Sequence, residues 1–285
     1  MGNGSFNFEE YRMYSRSCGR VMDDSGRTSG GQGYTAYCLD ESLNPLNKIR
    51  ECCISEEHPN PIPIILALDV TGSMGEACRE TAESLGVIMK NLYGKYQDIE
   101  FMVMGIGDLS YDDAPLQVSQ FESDIRIAEA LDKIWMEHGG GGNGFESYSA
   151  AWYFGLYNTK LESFDQNGQK GIIITMGDEP MNPYLPKKRL NQVLGTKLEA
   201  DVETKDLYKA AKEKFDIYHI AIDDDDCCYS SYQKDIENSF GQLLGPHYKV
   251  STIEDLSGTI CECIDESLGN GTTNSPVNEN GNISW

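Results

Sequence analysis

Asp69, Thr71 and Ser73 stand at alternate positions where an apolar run, Pro63-Ile64-Ile65-Leu66-Ala67-Leu68, comes to an end. One carboxylate and two hydroxyls are hard oxygen donors, a set that suits a hard divalent cation such as Mg²⁺. The same residue types also suit a helix N-cap following a strand. A second acid, Asp178, follows another apolar run, Gly171–Met176. A third polar stretch, Gly139-Gly140-Gly141-Gly142-Asn143-Gly144-Phe145-Glu146-Ser147, falls between two helical patterns. None of the three offers His or Cys, and no nucleophile–base pair accompanies them. The glycine run lacks the Gly-Lys-Ser/Thr of a phosphate cradle, because Phe145 and Glu146 follow it.

These residues need a scaffold, and the chain reads as alternating strands and helices from about residue 60. The continuous apolar segments 62–69, 99–106, 171–176 and 217–222 have the pattern of strands buried on both faces. Segment 248–251 makes a shorter strand. Residues 116–121 alternate and predict an edge strand. Helices are expected over 75–92, 123–136, 145–157, 187–194, 203–214, 232–244 and 256–268. This order predicts an α/β fold with a doubly wound, mostly parallel central sheet, helices on both faces and one antiparallel edge strand. In such a sheet the loops at the carboxyl ends of the strands converge on one surface, where ligands bind. Tyr148, Trp152, Tyr153 and Phe154 fall at helical spacing and are expected in the core.

Asp69-Val70-Thr71-Gly72-Ser73, with its preceding strand, resembles the D-x-[ST]-x-S signature of von Willebrand factor A (vWA) domains. Gly177-Asp178 after an apolar strand resembles the later metal-site aspartate of that family. The resemblance spans about residues 60–268 and is strongest to a bacterial, intracellular branch. It implies a Rossmann-like vWA fold and a metal-ion-dependent adhesion site. In such sites the hydroxyls matching Thr71 and Ser73 bind Mg²⁺ directly, with Mn²⁺ or Ca²⁺ as alternatives. The aspartates matching Asp69 and Asp178 bind it directly or through water. One coordination position stays open for a Glu or Asp of a partner protein. Many members carry a Thr in the second loop; here Asn143 is the expected replacement, with Glu146 and Ser147 as alternatives. Asp108, at the end of the second strand, is either a supporting residue or a plain loop acid. Some relatives work beside AAA+ ATPases or protein kinases, an association of the family only.

The bulk numbers bound the partners. With 46 acids against 23 bases, the net charge of −23 repels nucleic acid and anionic membrane surfaces. Lys187-Lys188-Arg189 is too short a basic run to offset it. No stretch approaches a membrane span, and the N-terminus lacks a signal core, so a cytoplasmic protein is expected. The nine cysteines contain no C-x-x-C pair and are expected as reduced thiols. Residues 1–57 read as an extended N-terminal arm, partly ordered by packing on the main domain, whose arginines dock on the acidic domain or, as the alternative, on a partner. Residues 58–269 form the domain, and 270–285 read as a disordered tail. Asp223–Asp226 is expected to be a solvated acidic loop. The function expected is a non-catalytic, Mg²⁺-dependent protein-interaction module. Two alternatives are a metal-dependent phosphohydrolase with Asp69 as nucleophile and a structural or assembly protein of a mobile element. Thr71 stands where such phosphatases usually carry a second acid.

Overall fold

The computed structural model describes residues 4–31, 36–96, 98–137, 144–225 and 227–271. Its centre is a six-stranded sheet built from β1 (Ile62–Asp69), β2 (Ile99–Ile106), β3 (Leu116–Val118), β4 (Gly171–Gly177), β5 (Phe215–Ile222) and β6 (Tyr248–Ser251). The spatial order is β6-β5-β4-β1-β2-β3. All pairings are parallel except that of β3 with β2, which is antiparallel and places β3 at an edge. The mixed α/β architecture and the antiparallel edge therefore agree with the sequence reading.

Parallel pairing buries both faces of the sheet, which explains the unbroken apolar runs. Ile64, Leu66 and Leu68 enter one hydrophobic cluster with Met176 and Ile220, whereas Ile65 and Ala67 enter another with Ile173 and Ile217. Helices α2 (Gly75–Glu83), α3 (Leu85–Tyr93) and α4 (Arg126–Lys133) contribute to the first cluster, as does the helix Leu256–Gly271. Helix α5 (Ser149–Tyr157) lies in the second, where Trp152 and Phe154 are fully buried.

The N-terminal region differs from the extended arm expected over 1–57. Phe8–Ser17 forms helix α1, capped by the Asn7 side chain on the N–H groups of Glu9 and Glu10. Arg20–Met22 and Thr28–Gly30 pair as an antiparallel hairpin, and Arg50–Cys52 pairs in parallel with Thr159–Leu161. Apolar burial drives this order, since Phe6 and Tyr11 enter the first cluster. Charge registers it. Arg20 clamps Asp132 with two hydrogen bonds, Tyr14 donates to the same carboxylate at 2.7 Å, and Arg27 pairs with Glu80.

The hairpin also explains why the helix expected over 75–92 is two helices. The break falls at Ser84, whose hydroxyl accepts from Arg27 at 2.9 Å. At Gly86 a Cβ would lie 2.2 Å from the carbonyl of Gly26, so the hairpin loop packs directly on the helix backbone. The helix expected over 232–244 starts earlier, at Tyr229, and contains a π-helical segment, Glu237–Gly241. The last helix runs to Gly271, two residues into the expected tail, whose remainder lies outside the described residues.

Candidate functional site

The strand order reverses between β1 and β4. From β1 the chain builds outward to β2 and β3; from β4 it builds the other way to β5 and β6. Loops leaving neighbouring strands in opposite directions open a crevice at their carboxyl ends. Asp69 ends β1 and Asp178 directly follows β4, so the topology brings these two predicted residues together. Both are fully buried.

Asp69 is held on both oxygens. Thr71 donates its hydroxyl and its backbone N–H to Oδ1, at 2.6 and 2.9 Å. Tyr148 donates its hydroxyl to Oδ2 at 2.5 Å. The phenol reaches that oxygen across Gly177, where a Cβ would sit 2.0 Å from Tyr148 Oη. Glycine at the end of β4 is thus a condition of the contact between Tyr148, the residue before α5, and the end of β1. Asp178 accepts from the backbone N–H of Cys228 on Oδ2 at 2.6 Å, while its Oδ1 is buried with no hydrogen-bond partner among the described residues. Thr71 is buried and Ser73 half-buried, so the loop opens toward solvent at Ser73.

Asn143, expected to complete the set, lies outside the described residues. Of its two alternatives, the Ser147 hydroxyl is engaged elsewhere. It accepts from Leu109 N–H at 2.9 Å and from the Asn182 amide at 3.2 Å, and it lies 3.4 Å from Asp108 Oδ1. Glu146 is different. Its backbone is clamped to the loop after Asp178, through Glu146 N–H to Pro180 O and Asn182 N–H to Glu146 O, both at 3.0 Å. Its side chain is 1% exposed and Oε2 has no partner among the described residues. Asp108 is buried beside Ser147, in a supporting rather than a solvated position.

The electrostatics are one-sided. Burial, then Asp178, pushes the Asp69 carboxyl up to about 7, against the pull of Thr71 and Tyr148. Burial, then Asp69 and Glu179, raises Glu146 to about 11. Burial and Asp178 raise Glu179 to about 7. The charges acting most strongly on these groups are all carboxylates. Buried like charges of this kind are costly unless protonated or neutralised by a cation. The orphaned oxygen on Asp178, within reach of the Asp69 charge, fits such a cation. Among the described residues, no three His, Cys, Asp or Glu side chains are placed to hold a metal ion by themselves.

Other motifs resolve more simply. Asp223 and Asp225 are exposed, and Asp226 lies outside the described residues. Arg189 donates to the carbonyls of Leu109 and Asp112, tying down the loop after β2. Burial raises Asp112 to about 6. No disulfide joins any of the nine cysteines, and no helix among the described residues is long and apolar enough to cross a membrane. Sequence reasoning missed Tyr148 and Gly177. Tyr148 looks like core because it is core on every side but its hydroxyl.

No family model and no curated protein match the chain. Among solved structures it is similar to the pilus adhesin SpaC from Lactobacillus rhamnosus GG in its open conformation, with 14% identity and a TM-score of 0.50. The match covers 74% of this chain, which spans 30% of SpaC. The vWF domain of the type V pili tip protein Mfa5 from Porphyromonas gingivalis matches 79% of this chain and 98% of its own, with 11% identity and a TM-score of 0.47. The likeness to SpaC shows a shared fold alone.

Proposed function

We propose that this chain is a doubly wound vWA-type domain that binds a divalent cation, with Mg²⁺ first, and uses it to engage a partner protein. The observation that carries this reading is the Asp69–Asp178 pair. Two fully buried carboxylates meet at the sheet's switch point, and one oxygen of Asp178 has no partner among the described residues. Thr71, Ser73 and Asp178 would hold the cation directly. Asp69 orients Thr71, and Tyr148 fixes Asp69. Glu146 lies within the field of Asp69, and Asn143 stays a candidate ligand.

A bound cation supplies a Lewis-acidic centre that accepts an oxygen ligand. The protein's part is to offer few direct carboxylates and a half-exposed opening at Ser73. That arrangement leaves room for an acidic side chain of a partner. A non-catalytic role is favoured because both oxygens of Asp69 are engaged and the side chain is buried, which suits a scaffold better than a nucleophile. The partner's identity, including any AAA+ ATPase or kinase system, is proposed by family association alone. A cytoplasmic setting is proposed on cysteines that form no disulfide and on the chain's own composition; SpaC, by its name, is a pilus adhesin.

Isothermal titration with Mg²⁺ tests the reading. Binding is expected in the wild type and lost in Asp69→Ala and Asp178→Ala. Unaltered Mg²⁺ binding in both variants would remove this site from consideration. Partner capture with and without EDTA, alongside Asp69→Ala, then tests the interaction role.

A further inference from the structure

Gly4 leads into α1, and two side chains converge on its carbonyl. The Ser123 hydroxyl donates to that oxygen, and His58 Nε2 lies 3.0 Å from it. Both side chains are buried. On the other side of the ring, the buried Nδ1 makes no hydrogen bond with a described residue, but it lies in ion-pair range of Asp98, 3.4 Å from Oδ1. Asp98 is fixed just before β2. Its φ of 61° is in the left-handed region, its Oδ2 accepts from Asn60 N–H at 3.2 Å, and its carbonyl accepts from Ile62 N–H at 2.7 Å.

These contacts dictate where the protons sit. A carbonyl oxygen only accepts, so Nε2 must carry a hydrogen while Gly4 is docked. A bare Nδ1 would then set its lone pair beside the Asp98 carboxylate in a buried site, a repulsion that a second proton turns into an ion pair. With Gly4 undocked, the neutral ring is satisfied: Nδ1–H serves Asp98, and Nε2 accepts from Ser123 Oγ, 3.2 Å away. Docking therefore takes up one proton, which adds to Nε2 from solvent as the Ser123 hydroxyl turns from the ring to Gly4. The other charges nearby are carboxylates. Burial raises the Glu100 carboxyl of β2, and Cys52 and then His58 pull against it. Glu122 and Asp124, on either side of Ser123, both pair with Arg126. Burial pushes the Cys52 thiol up, so it stays uncharged.

We propose that His58, with Ser123 and Asp98, is a proton-sensitive latch that holds the N-terminal segment at Gly4 when the ring is charged and releases it when the ring is neutral. It is independent of the cation reading above. Histidine charge changes most readily between about pH 5 and 8. Because the docked state holds the extra proton, docking is favoured at the acid end of that window and lost as pH rises through it. The segment that the latch starts is the one that reaches Asp132 through Arg20 and the α2–α3 break through Arg27.

Hydrogen exchange of the full chain, corrected for the intrinsic pH dependence of amide exchange, tests the latch at residues 5–11. Protection there should fall about tenfold between pH 6 and pH 8 in the wild type. Asp98→Asn keeps an acceptor for Asn60 N–H, suits the positive φ, and offers an amide N–H to a bare Nδ1. Its protection should persist without that fall. His58→Gln supplies an N–H to Gly4 at every pH and should be equally flat. Nitrogen-15 NMR should show both ring nitrogens of His58 protonated at pH 6 in the wild type. Equal wild-type protection at pH 6 and pH 8, or a fall of wild-type size in Asp98→Asn, overturns the inference. A neutral His58 ring at pH 6 alongside full protection overturns it as well.

Discussion

Tyr148→Phe removes one atom from the site and tests how the buried carboxylate is held. The phenol donates to Asp69 Oδ2 at 2.5 Å and favours the charged form of an acid that burial and Asp178 push up to about 7. A hydrogen bond to a charged group contributes about 1.5–3 kcal/mol. Its loss should raise the proton affinity of Asp69 by about one to two pH units. A cation must compete with that proton. At pH 7 the Tyr148→Phe variant should therefore bind Mg²⁺ about 5- to 50-fold more weakly, and the deficit should close as pH rises. Calorimetric titrations from pH 6 to 9 would measure it. A variant whose affinity follows the wild-type pH curve, or whose curve moves to lower pH, would refute the role given to Tyr148.

Three further outcomes follow from the same contacts. Gly177→Ala forces a Cβ to within 2.0 Å of Tyr148 Oη inside a buried strand, and should cost about 1–3 kcal/mol in urea unfolding. The double variant with Tyr148→Ala should cost less than the sum of the two. Asp69 and Glu179 have folded values raised above their ordinary ones, so the stability they permit is full below about pH 4 and is lost as pH rises through about 7. The cation-free protein should melt higher at pH 5.5 than at pH 7.5, by a smaller margin in Asp69→Asn; an equal margin would refute this. Arg20→Ala leaves Asp132 without its clamp, and should expose residues 4–31 to proteolysis at a cost of about 1–3 kcal/mol. Unaltered protease resistance would show that Phe6 and Tyr11 suffice.

The sheet was legible because parallel strands buried on both faces leave unbroken apolar runs. Segment 62–69 could be read to the residue, as could 99–106. Asp69 and Asp178 were each legible as acids ending apolar strands, but that their two strands are neighbours comes from the sheet order. The N-terminal region was not legible because its order comes from distant partners, such as Arg20 on Asp132 and Gly26 on Gly86, which no local pattern announces. The break at Ser84 has the same cause. Glu146 carried a signal, an acid just after a glycine run, yet its burial depends on backbone bonds to Pro180 and Asn182. Tyr148 could not be singled out, since an aromatic residue at helical spacing reads as core and only its hydroxyl departs from that reading.

Thermal unfolding of the wild type and Asp178→Asn, each with and without excess Mg²⁺, tests the central claim most directly. A cation that binds only the folded state raises stability with its concentration. Asn at position 178 keeps an acceptor for Cys228 N–H and removes one of two like charges. The wild type should gain several degrees with Mg²⁺. Asp178→Asn should melt at or above the cation-free wild type and gain nothing from Mg²⁺. A wild type indifferent to divalent cations, or an Asp178→Asn variant stabilised by Mg²⁺ as much as the wild type, would contradict a cation held between Asp69 and Asp178.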